Sequence, residues 1–346
     1  MSPSSQIEAR RLQRFLILLL SFLLVAVLVV LVGQRSELLG TDTPIYRAMY
    51  ELVKGCQCLL HKVEPGFDYL MLSMARLHLS TPQYLAVVSA IQFGLTIYVA
   101  KRMALFLNYQ QVQSIKWVLI FMGLMLVSPF FMSAQVNVLR QSISVLFVLL
   151  VALSLLQGRY YQSLLWALFA ISFHTSALMF LLFLSGVFLS FNLVVGLSLI
   201  LFTLYVSGAT EILIEMFSSV SGLSIYQAIS GYRTDAVYQS GVRIEFAVFS
   251  IFPLVLYFMA QQLDVIHKTQ WLARLQPVLK VYLLLLIPFW LFGWANYSDR
   301  FAWSAWFAMP LFLTVFVFPV LHKLSAALLF LLAFIAGAWF LSKIVL

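Results

Sequence analysis

Residues 15–32 read FLILLLSFLLVAVLVVLV, with a single hydroxyl and no charge. At ~1.5 Å per helical residue such a run covers ~27 Å, close to the ~30 Å of hydrocarbon in a bilayer. Arg10, Arg11 and Arg14 stand immediately before it. The apolar centre is too long for a secretory leader and no small-residue cleavage site follows. We read it as a membrane anchor with the N-terminus inside. Comparable runs recur at 83–100, 116–132, 138–156, 243–261, 279–295, 301–319 and 324–342. Hydrophobic residues make up 63% of the 346, and the mean hydropathy is +1.00. The expectation is an all-α, polytopic integral membrane protein, one domain over 1–346. A β-barrel would need alternating segments of ~10 residues, and none is visible. No internal repeat stands out.

Residues 160–207 are apolar throughout, broken by His174, Gly186 and Asn192. Two full spans or three short ones fit this length. His267, Lys268, Arg274 and Lys280 crowd one short connection, which belongs on the cytoplasmic side, whereas 208–242 holds only Arg233 and reads as exported. That pattern favours three short segments and about eleven in all. The net charge of +9 comes from Lys and Arg at the ends of apolar runs, as membrane topology requires, so nucleic acid is not implied.

Two exported segments follow from this topology. Residues 34–82 contain Glu64-Pro65-Gly66, a turn, then Phe67, Leu70, Met71, Met74 and Leu77 at helical spacing. This predicts a short amphipathic helix at the membrane surface, with Asp68 and Arg76 on other faces. Residues 208–242 carry Tyr226, Tyr232, Arg233, Asp235 and Tyr238. Tyrosines interleaved with polar groups suit a sugar ring, and they equally suit an interfacial aromatic belt.

Three polar positions sit in or against apolar runs: Arg140, His174 and Arg300. Charge near lipid is costly unless paired or wet, which makes each a functional candidate. Asn137, Arg140, Gln141 and Ser144 are three or four residues apart and share one helical face, with Asn137 placed to cap the helix. An Arg in a first turn offers phosphate a planar fork where the helix already attracts anions; the plainer reading is a snorkelling Arg. His174 stands beside Thr175 and Ser176 at the expected helix break, where polar groups line cavities, and a packing role is its plainer reading. Tyr297, Asp299 and Arg300 join two spans, and Asp299 and Arg300 either pair with each other or leave Arg300 for an anion.

Several chemistries find no support. No second His lies three or four residues from His174, His78 is distant, and there is no pair of CxxC motifs, so no metal is expected. No glycine loop for a nucleotide is present, and no cofactor is implied. Cys56 and Cys58 are the only cysteines. A C-x-C bridge is strained, although an exported segment permits oxidation, and we assign it no catalytic role.

Five stretches carry a family resemblance: Thr41-Asp42-Thr43-Pro44-Ile45-Tyr46, Glu64-Pro65-Gly66-Phe67, Asn137-Val138-Leu139-Arg140-Gln141, Phe173-His174-Thr175-Ser176-Ala177-Leu178 and Asp299-Arg300-Phe301. In this order they resemble the EpsG-type branch of bacterial Wzy polysaccharide polymerases. The early segment departs from the pattern through the stretch around Cys56 and Cys58. The resemblance implies a GT-C-like enzyme of the bacterial inner membrane with its site facing the periplasm. Its substrate would be an undecaprenyl-diphosphate-linked oligosaccharide, and a chain-length co-polymerase would be a candidate partner. Arg140 and Arg300 would stabilise the departing diphosphate, with Asn137 and Gln141 holding geometry. His174 would take the acceptor's proton, since imidazoles ordinarily titrate near ~6.5, with Glu64 and Asp42 as second choices. The competing classes are a lipid-linked glycan flippase, which would favour two similar halves, an O-acyltransferase, and a structural subunit of a secretion complex.

Overall fold

The computed structural model describes residues 3–230, 241–263 and 268–344. Tyr232, Arg233, Asp235, Tyr238 and His267 lie outside them. Among the described residues there are sixteen α-helices and no strand. In chain order they are α1 (Pro3–Gly33), α2 (Thr43–Cys56), α3 (Pro65–Arg76), α4 (Thr81–Phe106), α5 (Gln111–Val127), α6 (Pro129–Val136), α7 (Leu139–Leu156) and α8 (Tyr160–Phe173). Then follow α9 (Ala177–Leu184), α10 (Phe191–Val206), α11 (Ala209–Ser221), α12 (Ile225–Ser230), α13 (Ile244–Gln262), α14 (Lys268–Phe292), α15 (Ser298–Leu321) and α16 (Ala326–Ile344).

Seven helices are long and apolar enough to cross a bilayer: α1 from Phe15, α4, α7, α13, α14, α15 and α16. Counting two bent pairs, α5 with α6 at 73° and α10 with α11 at 94°, as one span each brings the number to nine. The polytopic helical class therefore holds. The sequence count of about eleven included α8 and α9, whose 14 and 8 residues fall short of the ~20 a full crossing takes.

The apolar stretch 160–207 does divide into three helices, with breaks after Phe173 and before Phe191. The span read at 116–132 is not straight. It bends at Ser128-Pro129, because proline lacks an N–H and drives the preceding residue out of helical backbone, here to ψ 125°. The connection expected around 268–280 is helical, as the first turns of α14. Lys280 is drawn inward, its ammonium donating to the Val187 and Leu189 carbonyls at 2.7 and 2.9 Å. Those carbonyls end the 3-10 turn after α9, so the lysine satisfies backbone groups that the helix break frees. Lys116 does the same for His322 and Leu324 at the α15–α16 turn, at 2.6 and 2.7 Å.

The chain divides into two compact units. The first comprises residues 1–150, 165–175 and 317–346; in it α16 packs on α5 and α1, and α1 on α4. The second comprises 151–164 and 176–316, where α14 is the hub for α9, α10, α11 and α13. The apolar window of α1 is only 17% buried, against 83% for α7. The first therefore presents its side chains to lipid and the second lies inside protein.

Within the first unit, the segment between α1 and α4 folds into two helices. α2 buries Thr43, Tyr46, Tyr50 and Val53, one face at helical spacing. α3 lies where the sequence placed a helix, but its buried face is Phe67, Met71, Leu72 and Ala75 rather than the row through Leu70, Met74 and Leu77. Asp68 departs from expectation: it is buried, its carboxylate accepting from the Leu60 and His61 N–H groups at 3.2 and 2.9 Å. Leu77 is exposed instead. The Cys56 and Cys58 sulfurs are bonded to each other just past α2.

The start of α3 is pressed against the end of α8. A Cβ on Gly66 would come within 2.7 and 2.8 Å of the Ser172 hydroxyl and carbonyl oxygens. Gly66→Ala should therefore destabilise the protein by about 1–3 kcal/mol. Gly94→Ala, with nothing within 4 Å of its Cβ, should be neutral or stabilising by up to ~1 kcal/mol. Thermal unfolding of the two variants in detergent checks the contrast.

Candidate functional site

Glu64 is where the first unit's polar groups meet. It stands at the N-cap of α3 in extended backbone, followed by Pro65, and its side chain is 9% exposed. One carboxylate oxygen, Oε2, accepts from the Arg140 guanidinium at the start of α7. The other, Oε1, lies 2.7 Å from His174 Nδ1 and 3.2 Å from the Thr175 N–H, with the Thr175 hydroxyl at 3.4 Å. These partners stand 76 and 110 residues away along the chain.

Each element is held for a reason visible in the sequence. His174 and Thr175 lie where α8 stops, so their backbone is free to turn toward the carboxylate. Arg140 lies in the first turn of α7, which begins anew after the short α6. That second break leaves carbonyls without helical partners. Gln92 on α4 donates to the Ala134 carbonyl at 2.9 Å and reaches the Leu139 carbonyl and Ser142 hydroxyl. Ser89 donates to Gln135 at 2.7 Å. Polar groups inside α4, fully buried, thus anchor the α6–α7 junction.

The electrostatics are lopsided. Burial alone pushes the Glu64 carboxyl up. The His174 hydrogen bond, the backbone N–H groups of Glu64 and Thr175 and the Arg140 charge outweigh it and hold the group at about 2. An ionised carboxylate only accepts, so His174 Nδ1 carries the proton toward it and Nε2 is left for other partners. The Tyr46 hydroxyl faces the Arg140 guanidinium from α2, and burial raises this phenol despite that cation. Its ring leans on Phe67 at 5.8 Å, which ties α2 to α3.

This grouping of an oriented imidazole, a carboxylate and a guanidinium can move a proton and hold an anion. The EpsG family model matches residues 18–346. The chain belongs to the EpsG family. That family is associated with polysaccharide polymerases, and no curated protein and no solved structure matches the chain.

For this EpsG-family protein the other residues read from the sequence fall in several places. Asn137 does not cap α7: it ends α6, and its side-chain oxygen turns to the Asp42 N–H at 3.5 Å, against Gly40. Gly40 has φ +77°, and a Cβ there would sit 2.2 Å from that oxygen. Ser144 is engaged in packing, donating to the Ala170 carbonyl at 2.8 Å and fastening α7 to α8. Gln141 is buried. Asp42 precedes α2, accepting from Thr41 at 3.1 Å.

Tyr297, Asp299 and Arg300 belong to the second unit. There the Arg300 guanidinium carbon sits over the Tyr297 ring, 4.3 Å from its centre, and Asp299 feels both the Arg300 and Arg243 charges. Arg243 was not singled out from the sequence; it pairs with Glu245 and stacks over Phe246 at 4.6 Å. Among the described residues no group of His, Cys, Asp and Glu is arranged to hold a metal.

The depressed Glu64 pKa gives a signed prediction. Its stabilisation is fully present above the ordinary value of 4.5 and is lost as pH falls toward about 2. Wild type should exceed Glu64→Gln in stability by about 2 kcal/mol near neutrality, allowing for solvent screening. The gap should begin to narrow below about pH 4.5 and shrink by about half by pH 3, as read by thermal unfolding from pH 7 to 3.

Proposed function

We propose that the protein is a polysaccharide polymerase that moves a growing glycan from its undecaprenyl-diphosphate carrier onto a new lipid-linked oligosaccharide. The observation that carries this reading is Glu64, shared between His174 and Arg140. An acceptor sugar hydroxyl attacks the donor's anomeric carbon. A new C–O bond forms, the bond from that carbon to the diphosphate oxygen breaks, and its electron pair leaves with the lipid diphosphate. His174 Nε2 takes the hydroxyl proton, and Glu64 stabilises the imidazolium that results, as in a carboxylate-oriented base.

Arg140 serves the other half of the reaction. Negative charge grows on the departing diphosphate, and a fixed guanidinium beside a helix N-terminus acts on charge as it develops. Glu64 and Tyr46 hold its fork in one orientation. Among the carboxylates read as second-choice bases, Glu64 fits the orienting role better, because a group held at about 2 is a weak proton acceptor. The bacterial inner membrane and a periplasm-facing site belong to this reading, as does a GT-C-like class.

Reconstitution of purified protein with lipid-linked repeat units and no nucleotide tests the reading. A glycan ladder spaced by one repeat is expected. Lipid-linked sugar that crosses the bilayer with no ladder would overturn it in favour of a flippase. Arg140→Ala and Arg140→Lys should each lower turnover by about 10²–10³-fold, with insertion retained. His174→Ala and Glu64→Gln should each cost about 10²–10⁴-fold. Near-normal chain length in Arg140→Lys would remove the bidentate contact from the mechanism.

A further inference from the structure

The buried polar atoms without a hydrogen-bond partner include the donors Arg35 Nη2, Arg47 Nε, Arg140 Nε and the Tyr84 hydroxyl, with Gln92 Oε1 and Gln135 Nε2 at the α6–α7 junction. Arg35 is the extreme case. It lies just beyond α1 and is 2% exposed. Its Nη1 and Nε donate to the Val32 carbonyl at 3.0 Å and the Thr43 hydroxyl at 3.2 Å, both neutral. Among the described residues no carboxylate lies within ion-pair distance of it. The nearby acid, Glu37, is 71% exposed and pairs with Arg47 at 2.7 Å.

This charge is not remote from the site. The Thr43 hydroxyl that receives Arg35 donates to the Val136 carbonyl at 3.1 Å, at the end of α6 and one turn before Arg140. Tyr84 and Tyr46 both act electrostatically on Arg35, and Tyr46 faces Arg140. Burial and the neighbouring Arg47 pull Arg35 down to about 10, which still leaves it protonated near neutrality. A buried cation without its own counter-ion is costly to keep. The same burial keeps its field from being screened by salt.

We propose that Arg35 is a positioning residue that gives the Glu64–Arg140–His174 site its preference for a diphosphate over the less highly charged monophosphate. The inference rests on the reading of that site as a diphosphate site. Arg35 does not touch the ligand. It acts through the Tyr46–Arg140 contact and through a potential whose pull scales with the ligand's charge. The plainer account is a staple that joins the end of α1 to α2 through Val32 and Thr43. The two accounts separate by substitution: Arg35→Gln keeps amide donors and removes the charge, whereas Arg35→Lys keeps the charge and removes the fork.

The test measures binding of farnesyl diphosphate and farnesyl monophosphate to the full-length protein in detergent, with thermal unfolding in parallel. Inorganic pyrophosphate separates recognition of the headgroup from partition of the tail. Wild type should prefer the diphosphate. Arg35→Gln should lower the diphosphate-to-monophosphate ratio on the order of tenfold, while Arg35→Lys stays within about twofold of wild type. An unchanged ratio in Arg35→Gln, or equal losses of both ligands in both variants, would leave only the staple. A reading without variants is also available: the preference should survive ~1 M salt, where exposed charges are screened within ~3 Å, and its collapse there would overturn the proposal. A polymerisation assay that fails while the ratio still falls would remove the reaction and keep the charge site. A glycan ladder with an unchanged ratio would remove this inference alone.

Discussion

The Glu64 carboxylate is the contact on which the first unit's polar architecture turns. It is shared by an arginine that opens α7 and a histidine that closes α8, while the residue itself opens α3. Each of those places is a helix end, and helix ends carry backbone groups that a low-dielectric surround leaves without water. The carboxylate therefore does two things at once. It neutralises charge that would otherwise be stranded, and it fixes the mutual geometry of three segments far apart in the chain. Removing it would leave Arg140 partly buried and unpaired, which is why the network is expected to respond as a unit rather than residue by residue.

The remaining breaks are treated by the same logic with different side chains. Gln92 serves the α6–α7 junction, Lys280 the turn after α9, and Lys116 the turn between α15 and α16. Breaks in the helices then become tolerable inside a mostly apolar protein. They also make the site: an unbroken helix through His174 or Asn137 would leave no place for a loop to reach Glu64. Chemistry and irregular backbone coincide because the second requires buried polar groups and the first uses them.

Much of this was legible in the sequence. Long apolar runs forced helices, and polar residues in or against them marked Arg140, His174 and Arg300, whereas Glu64 stood out only as a turn residue and, through the family resemblance, as a second-choice base. Their convergence was not legible, since nothing in local spacing joins residue 64 to residues 140 and 174. Misreadings have local causes. Asn137 was placed as the cap of Arg140's helix by spacing alone, but that spacing presumes a continuous helix, and α7 begins only at Leu139. Asp68 was placed outward as a charge, whereas two turn N–H groups draw it in. Arg35 went unnoticed because an arginine just past an apolar run looks like an ordinary boundary marker, and only its burial distinguishes it. Asp68 and Arg35 together show that charge in a membrane protein is interpretable only alongside the backbone groups around it.

Lys116 and Lys280 carry this point into how such chains are oriented. Rules for sidedness treat every basic residue near a span as a vote cast by its exposure to one compartment. These two ammonium groups are bound to carbonyls within the protein and cast a weaker vote. Lys280 belongs to the basic cluster that assigns the connection before α14 to one side, so that cluster's vote is weaker than its number of basic residues suggests. A tally weighted by whether each head group has helix-end carbonyls to serve separates residues that orient a chain from those that fasten it. The distinction can be drawn wherever an apolar run is broken within reach of a lysine.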